Sequence, residues 1–372
     1  MPPDSSKKDA FRRPTLRDVA THANVSIKTV SNVANGYRHV SVATRARVEQ
    51  AIAELGYRPN MAARSLRSGR SNVVALAVPF LDMPYFAEIA QHIVLAAAEH
   101  GWTVLIDQTD GNHERERLAV AGIRDHLIDG LIVSPLTLTA EDLAQRMDTT
   151  PLVLLGERIH HGPTDHVLID NVAAAREATL HLAALGRKRV AAIGAQQVDP
   201  GFTAQLRLQG WREALLESGL QADPEQAAPA ESWRRADGAT AMARLLDAGP
   251  TPDAVFCFND LLALGALREL SRRGIRVPDD VALVGFDDIE DGRFSTPTLT
   301  TVAPDKAAIA RIAVNLVAYH LGDETEPSPQ EVFAPYRLIE RESTRGPAAD
   351  QPDEESGTAP LPVESTSTPD PS

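Results

Sequence analysis

From residue 72 to residue 286 the chain alternates short apolar runs with helical stretches, and this rhythm restricts the fold more than any other feature. The runs are Val73–Val78, Val104–Ile106, Leu131–Val133, Leu152–Leu155, Val167–Ile169, Val190–Ile193, Ala254–Phe258 and Val281–Phe286. Helical stretches such as Phe86–His100, Val172–Leu185, Phe202–Ser218, Gly238–Leu246 and Leu261–Arg273 separate most of them. Short continuous apolar runs are how strands buried on both faces read, and successive parallel strands need a crossover, usually a helix. The pattern therefore predicts α/β architecture, with parallel sheets covered by helices on both faces. The strands are too many for one compact core of this type, so two similar lobes are expected. Ligands of such sheets bind beyond the carboxyl ends of the strands, so two facing lobes form a cleft that a hinge can close.

The N-terminal segment follows a different rule. Residues 15–36 read TLRDVATHANVSIKTVSNVANG. Leu16, Val19, Ala20 and Ala23 fall at helical spacing and line one face of a first helix. Asn24 suits the left-handed turn that follows. Ser26 reads as the N-cap of a second helix, whose buried face carries Val30 and Val33. This leaves Ile27, Lys28, Thr29, Ser31 and Asn32 exposed, a set suited to base edges and phosphates. A plain helical hairpin with a solvated face is the alternative. Ser41 caps a third helix that runs to about Leu55, with Gly56 as its stop.

Charge separates these regions. Residues 1–72 hold 13 Lys/Arg and 5 Asp/Glu, a net of +8, whereas the remaining 300 hold 24 and 46, a net of −22. A basic head on an acidic body confines contact with nucleic acid to the head. The single cysteine, Cys257, excludes an internal disulfide framework and a multi-Cys zinc site, and its apolar surroundings suggest an inert buried thiol. No apolar run approaches the roughly 18 residues of a membrane span, and the N-terminus lacks a secretion signal, so a cytoplasmic protein with no membrane contact is expected. The adjacent His160–His161 pair lies in a polar loop and reads as solvated rather than metal-binding. No cofactor is expected.

The expected organisation is a disordered lead-in (1–13), a helix-turn-helix domain (14–58), a linker with Arg64, Arg67 and Arg70 (59–71), an effector and dimerisation domain (72–345) and a disordered tail (346–372). Within the effector domain the first lobe is placed at about 72–168 plus 303–330, and the second at about 169–302 plus 331–345. The tail holds six prolines, six acidic residues and no Lys or Arg, and cannot build a core.

The chain resembles the lactose-repressor (LacI-type) family of bacterial transcription regulators over about residues 15–345. TLRDVATHANVS, KTVSNVANG, HVSVATRARVEQAIAELGYRPN and AARSLRSG are similar to the family's head and hinge. RLQGW (207–211), FNDLLALGAL (258–267), VPDDVALVGFDD (277–288) and PTLTTV (297–302) are similar to its C-terminal lobe. The resemblance implies an all-α head with two periplasmic-binding-protein-like lobes, acting as a homodimer on a palindromic double-stranded DNA operator under control of a small ligand.

The resemblance also implies roles for individual residues. Ile27, Lys28 and Asn32 fall on the positions that read bases in the major groove. Asn32 departs from the arginine common there, which leaves the half-site open. Thr15, Ser26, Thr29, Ser31, Asn35 and His39 fall on phosphate-contacting positions. Asn60, Ala63 and Leu66 fall on a hinge helix that enters the minor groove, where the leucine would wedge a base step. Arg207, Asn259 and Asp287 match effector positions, with Tyr85 and Phe86 facing the cleft. Trp233 reads either as an aromatic wall or as lobe core. Asp260 reads as a cap for the next helix. Where some sugar-binding relatives carry Asp after the fourth strand, this chain has Gly156, Glu157 and Arg158. A sugar is the expected effector, with a nucleoside or purine as the alternative, and the sign of control stays open. The C-terminal sequence lacks a leucine-rich helix, so a dimer rather than a tetramer is expected. Two other classes share parts of the pattern. A sugar-binding transport protein needs no basic head, and an enzyme on this fold needs a phosphate loop, nucleophile elbow or metal set that the sequence lacks.

Overall fold

The computed structural model describes residues 14–34, 37, 39–57, 70–121, 127–159, 162–196, 202–322 and 328–347. The lead-in, Asn35, the hinge positions Asn60, Ala63 and Leu66, the pair His160–His161 and the tail from 348 lie outside the described residues.

The head comprises α1 (Leu16–His22), α2 (Ile27–Ala34) and α3 (Val42–Leu55). A reciprocal capping box opens α1: Thr15 Oγ1 accepts from the Asp18 amide, and Asp18 accepts from the Thr15 amide. Asn24 takes the turn at φ 52°. Ser26 Oγ accepts the Thr29 amide at 3.0 Å, which fixes the start of α2. Ser41 caps α3, and Gly56 ends it. Val19, Val30 and Val48 are fully buried at the point where the three helices meet, with Ala20, Ala23, Val33, Ala51 and Tyr57 around them.

The remainder forms two six-stranded sheets. The first contains β1 (Val73–Val78), β2 (Thr103–Gln108), β3 (Gly130–Val133), β4 (Leu152–Leu155), β5 (Asp165–Leu168) and β11 (Glu331–Phe333), in the order β11-β5-β4-β3-β1-β2. The second contains β6 (Val190–Ala195), β7 (Ala227–Pro229), β8 (Ala254–Cys257), β9 (Ala282–Phe286), β10 (Thr300–Pro304) and β12 (Tyr336–Ile339), in the order β12-β10-β9-β8-β6-β7. All pairs are parallel except β10 with β12. Helices supply the crossovers: α4 (Pro84–Glu99), α5 (His113–Val120), α6 (Ala140–Ala144), α7 (Asn171–Ala184), α8 (Phe202–Glu217), α9 (Arg235–Ala248), α10 (Asp260–Arg272), α11 (Glu290–Arg293) and α12 (Lys306–His320), followed by the short α13 (Glu342–Arg345).

The chain passes between the sheets after β5, after β10 and between β11 and β12. Two expected lobe boundaries shift as a result. Residues 303 and 304 remain in the second sheet, because β10 continues through Pro304. Glu331–Phe333, expected in the second lobe, pairs with His166–Leu168 in the first. A three-residue strand leaves no apolar run long enough to show its side of a crossing. Trp211, Phe256, Phe258 and Phe286 are fully buried in the second lobe, where the Trp211 indole donates to the Val190 carbonyl at 3.2 Å. Cys257 is buried among them, and burial pushes its thiol well above the usual range, which suits an inert group. Among the described residues, no helix is long and apolar enough to cross a membrane.

Candidate nucleic-acid interface and effector cleft

On α2, burial of Val30 and Val33 turns the opposite face outward. Ile27 is 44% exposed, Lys28 is exposed, and Asn32 is partly exposed beside them. These three therefore share an accessible stripe with Ser26 and Thr29, whose hydroxyls bond each other at 2.8 Å. Ser31 differs from expectation. It is buried, although its neighbours Lys28 and Ile27 on α2 are exposed. The Thr15 hydroxyl already donates to Asp18 at 2.7 Å within the capping box. His39 is exposed, as is Tyr37, which the sequence reading passed over. Arg45 donates to the Tyr37 carbonyl at 2.7 Å and ties the segment after α2 to α3.

The second constellation lies where strand ends of the two sheets face each other. Arg207, on α8, is buried. Its Nε donates to Asn171 Oδ1 at 2.7 Å, and a terminal N–H donates to the Phe258 carbonyl. The guanidinium carbon lies 3.4 Å from the Phe286 ring centre and 5.6 Å from that of Trp233. Burial pulls its pKa down, while Asp287 and Glu157 pull it back up through space. Aromatic walls and an acceptor from α7 thus hold a planar donor fork in fixed orientation.

Asp287 follows β9 in a strained left-handed conformation, φ 114°, and Asp288 follows at φ 48°. Burial pushes the Asp287 carboxyl up to about 7, against the opposing pull of Arg207 and Lys306. Asp288 has a different environment. Burial works against its charge, yet Arg341 at 2.7 Å and Arg293 at 3.0 Å hold its carboxyl below the usual range. Both aspartates are buried.

Trp233 is also held left-handed, at φ 53°, which is costly for a bulky side chain. Its indole donates to the Gly194 carbonyl at 3.0 Å, and its own carbonyl accepts Asn259 Nδ2 at 3.1 Å. Its ring meets Phe258 edge-on at 6.0 Å and packs at the margin of the second-lobe core. Asn259, rather than Asp260, caps α10, accepting the Leu262 amide at 2.8 Å. Asp260 turns inward and accepts from the Ile289 amide at 2.9 Å and the Thr301 hydroxyl at 2.7 Å. Burial pushes its carboxyl well above the usual range. The cap assigned to Asp260 thus belongs one residue earlier, because Asn259 is the residue with extended backbone geometry.

Tyr85 and Phe86 open α4 from the first lobe, with rings 5.4 Å apart. Burial and the nearby Asp287 push the Tyr85 phenol above its ordinary range. Phe80, Met83, Tyr85 and Phe86 meet Leu261, Leu264 and Ile289 of the second lobe. Asp82 takes a bidentate contact from Arg234 at 2.7 and 3.2 Å, and Glu88 pairs with Lys306 at 2.6 Å. Glu157, at the end of the first sheet, accepts from Thr203 of α8 at 3.1 Å and from the Ile169 amide at 3.3 Å. In the sequence Glu157 stands out only as a departure, and Asn171, Lys306, Glu88 and the Asp82–Arg234 pair do not stand out. Their partners lie far away in sequence.

Residues 15–60 match the model of the bacterial regulatory proteins of the lacI family, and residues 179–344 match that of a periplasmic binding protein-like domain. The HTH-type transcriptional repressor CytR of Escherichia coli K12 is 35% identical over 332 residues, 89% of this chain and 96% of CytR. This chain belongs to the LacI family. Among solved family structures, a complex of the transcriptional regulator CelR with cellobiose is 35% identical, with a TM-score of 0.64 over 89% of this chain and 100% of that one. A lac repressor dimer bound to operator and the anti-inducer ONPF is 29% identical, with a TM-score of 0.78 over 90% of this chain and 99% of that one. The helix-turn-helix head and two-lobe body expected from sequence are those of the family, whose members are DNA-binding regulators rather than enzymes.

Proposed function

We propose that this LacI-family chain is a repressor of a sugar-utilisation operon. It binds a palindromic operator as a dimer and responds to a sugar held between its lobes. The observation that carries this reading is the pairing, in one chain, of an accessible Ile27–Lys28–Asn32 stripe with a buried Arg207 fork beside Asp287 and Trp233. Lys28 donates to guanine O6 and N7, Ile27 meets a thymine methyl, and Asn32 pairs with adenine. Ser26, Thr29 and His39 fix register on the phosphates. Asn35, and the hinge residues Asn60, Ala63 and Leu66, keep the roles that family resemblance implies. Ser31 is buried, so its phosphate role rests on the family resemblance alone.

In the cleft, Arg207 donates to ligand oxygens, Asp287 accepts hydroxyls, and Trp233 stacks on the apolar face of a sugar ring. The CelR–cellobiose complex supports a sugar as the effector class. The cleft binds without turnover, and the protein works on DNA in the cytoplasm. The lac repressor dimer on operator supports the dimer. So do Leu105 (46% exposed) and Ile106 (44%) on the edge strand β2, and Val94 (41%) and Leu95 (45%) on the neighbouring α4, an apolar surface that a second copy would cover.

In-vitro selection of source-genome fragments on the purified protein tests the reading. An enriched palindrome is the expected result. No enrichment, with or without added sugar and purine pools, would refute it. Calorimetric titration with cellobiose, simple sugars and nucleosides tests the effector class, and binding of nucleosides alone would overturn the sugar assignment.

A further inference from the structure

We propose that α12 is a rigid strut linking the effector cleft to the hinge entry, with Lys306 and Arg70 as its two end clamps. The proposal rests on reading residues 59–71 as a hinge.

At one end, Asp305 caps α12, accepting the Ala308 amide at 2.8 Å. Lys306 Nζ then donates to the carbonyls of Asp287 at 2.5 Å and Asp288 at 2.9 Å, and pairs with Glu88 at 2.6 Å. Those carbonyls belong to the two consecutive residues in left-handed backbone. Lys306 therefore holds the strained turn that carries the candidate ligand carboxylate, and joins it to the first lobe through Glu88. A ligand that reorients Asp287 must change what Lys306 holds.

At the other end, the carbonyl of Leu321, the C-cap of α12, accepts the Arg70 guanidinium across 251 residues of sequence. A cation here also complements the negative end of the helix dipole. Arg70 is the last arginine of the 59–71 linker. The next two residues are clamped as well: Asp129 accepts the Ser71 amide at 2.7 Å, the Ser71 hydroxyl at 2.8 Å and the Asn72 amide at 2.6 Å.

The 15 residues of α12 span about 22 Å at 1.5 Å each, and the helix is gripped along its length. Asn315 bonds His100, the C-cap of α4, at 3.3 Å, and His320 pairs with Asp165 of β5. Val317 packs so tightly on Gly130, the residue after Asp129, that a β-carbon there would lie 2.3 Å from Val317 Cγ1. Val317, β-branched and stiff at χ1, has little room to swing aside. A displacement of the Lys306 end therefore reaches both the Arg70 clamp and the strand start carrying Asp129. α12 is thus one packed element with both sites bonded to its ends.

Hydrogen–deuterium exchange on the full-length protein, without DNA or ligand, tests this. In Lys306→Met, exchange in a peptide covering residues 70–76 should rise about tenfold, while a head peptide covering 16–25 stays unchanged. In Arg70→Met, at an exposed position, exchange in a peptide covering 284–291 should rise, because coupling is reciprocal. Unchanged far-end exchange in both variants would overturn the proposal. An even rise across all peptides in Lys306→Met would mean lost stability, and the Arg70→Met result alone would then decide. Failure of the regulator reading would show in operator selection, which this measurement does not involve.

Discussion

Arg207 and Asp287, the two proposed effector contacts, are prepared in different ways, one by orientation and one by a strained backbone. The Arg207 fork is oriented by Asn171 and the Phe258 carbonyl before any ligand arrives, so little freedom remains to be lost on binding. Arg207→Ala should abolish calorimetrically detectable effector binding and leave operator affinity without ligand within about threefold; wild-type ligand affinity would refute the assignment. Asp287 gives a pH signature. Its folded pKa, pushed to about 7 by burial, lies above the ordinary carboxylate value, so the fold favours the protonated form. The associated stabilisation is complete below about pH 4 and is lost as pH rises through 7. Asp287→Asn, which the positive φ tolerates, should therefore raise Tm relative to wild type at pH 8 and change it little at pH 4. Equal Tm differences at both pH values would contradict the burial argument. At this scale the sequence was legible for residue types but not for neighbours. Asn259 and Asp260 are adjacent, and which one caps and which turns inward depends on Thr301 and Ile289, 41 and 29 residues away.

Elements were most legible where periodicity was long and apolar. All eight runs read as strands became strands, although the second, Val104–Ile106, lengthened to Thr103–Gln108 as an exposed edge. The polar β10, TTVAP, and the short β11 and β12 gave weaker signals, and they decide where the chain changes lobes, whereas α12 carries a clear apolar helical period beyond the last run read as a strand. Close helix contacts were also invisible. A β-carbon on Gly265 of α10 would lie 1.9 Å from the Arg235 carbonyl oxygen and 2.8 Å from the Ala239 nitrogen of α9. Backbone on the facing helix cannot rotate away, so Gly265→Ala should force α9 and α10 apart at a cost of about 1–3 kcal/mol or more. A chemical denaturation series checks this, and an unchanged midpoint would contradict the packing. Ser26→Ala should destabilise the head by about 1 kcal/mol through loss of the α2 cap. That effect should appear as faster exchange confined to residues 16–55.

For the whole molecule, charge and topology divide the work. The +8 of residues 1–72 against −22 elsewhere keeps DNA contact at the head. The two sheets share three chain crossings, the geometry that lets lobes rotate about a hinge without unfolding. Ligand control then requires only that one lobe arrangement bind the effector better than the other. In sedimentation equilibrium the protein should have the mass of two chains, and introducing charge at Leu105 and Ile106 should shift it toward one. The central claim is that the face of α2 bearing Lys28 reads operator bases, and the most direct test is parallel selection of genomic fragments on wild type and Lys28→Ala. Wild type should enrich a palindrome, and Lys28→Ala should retain it with preference lost at one symmetry-related position in each half-site. No palindrome for wild type, or an identical motif for both proteins, would contradict the account.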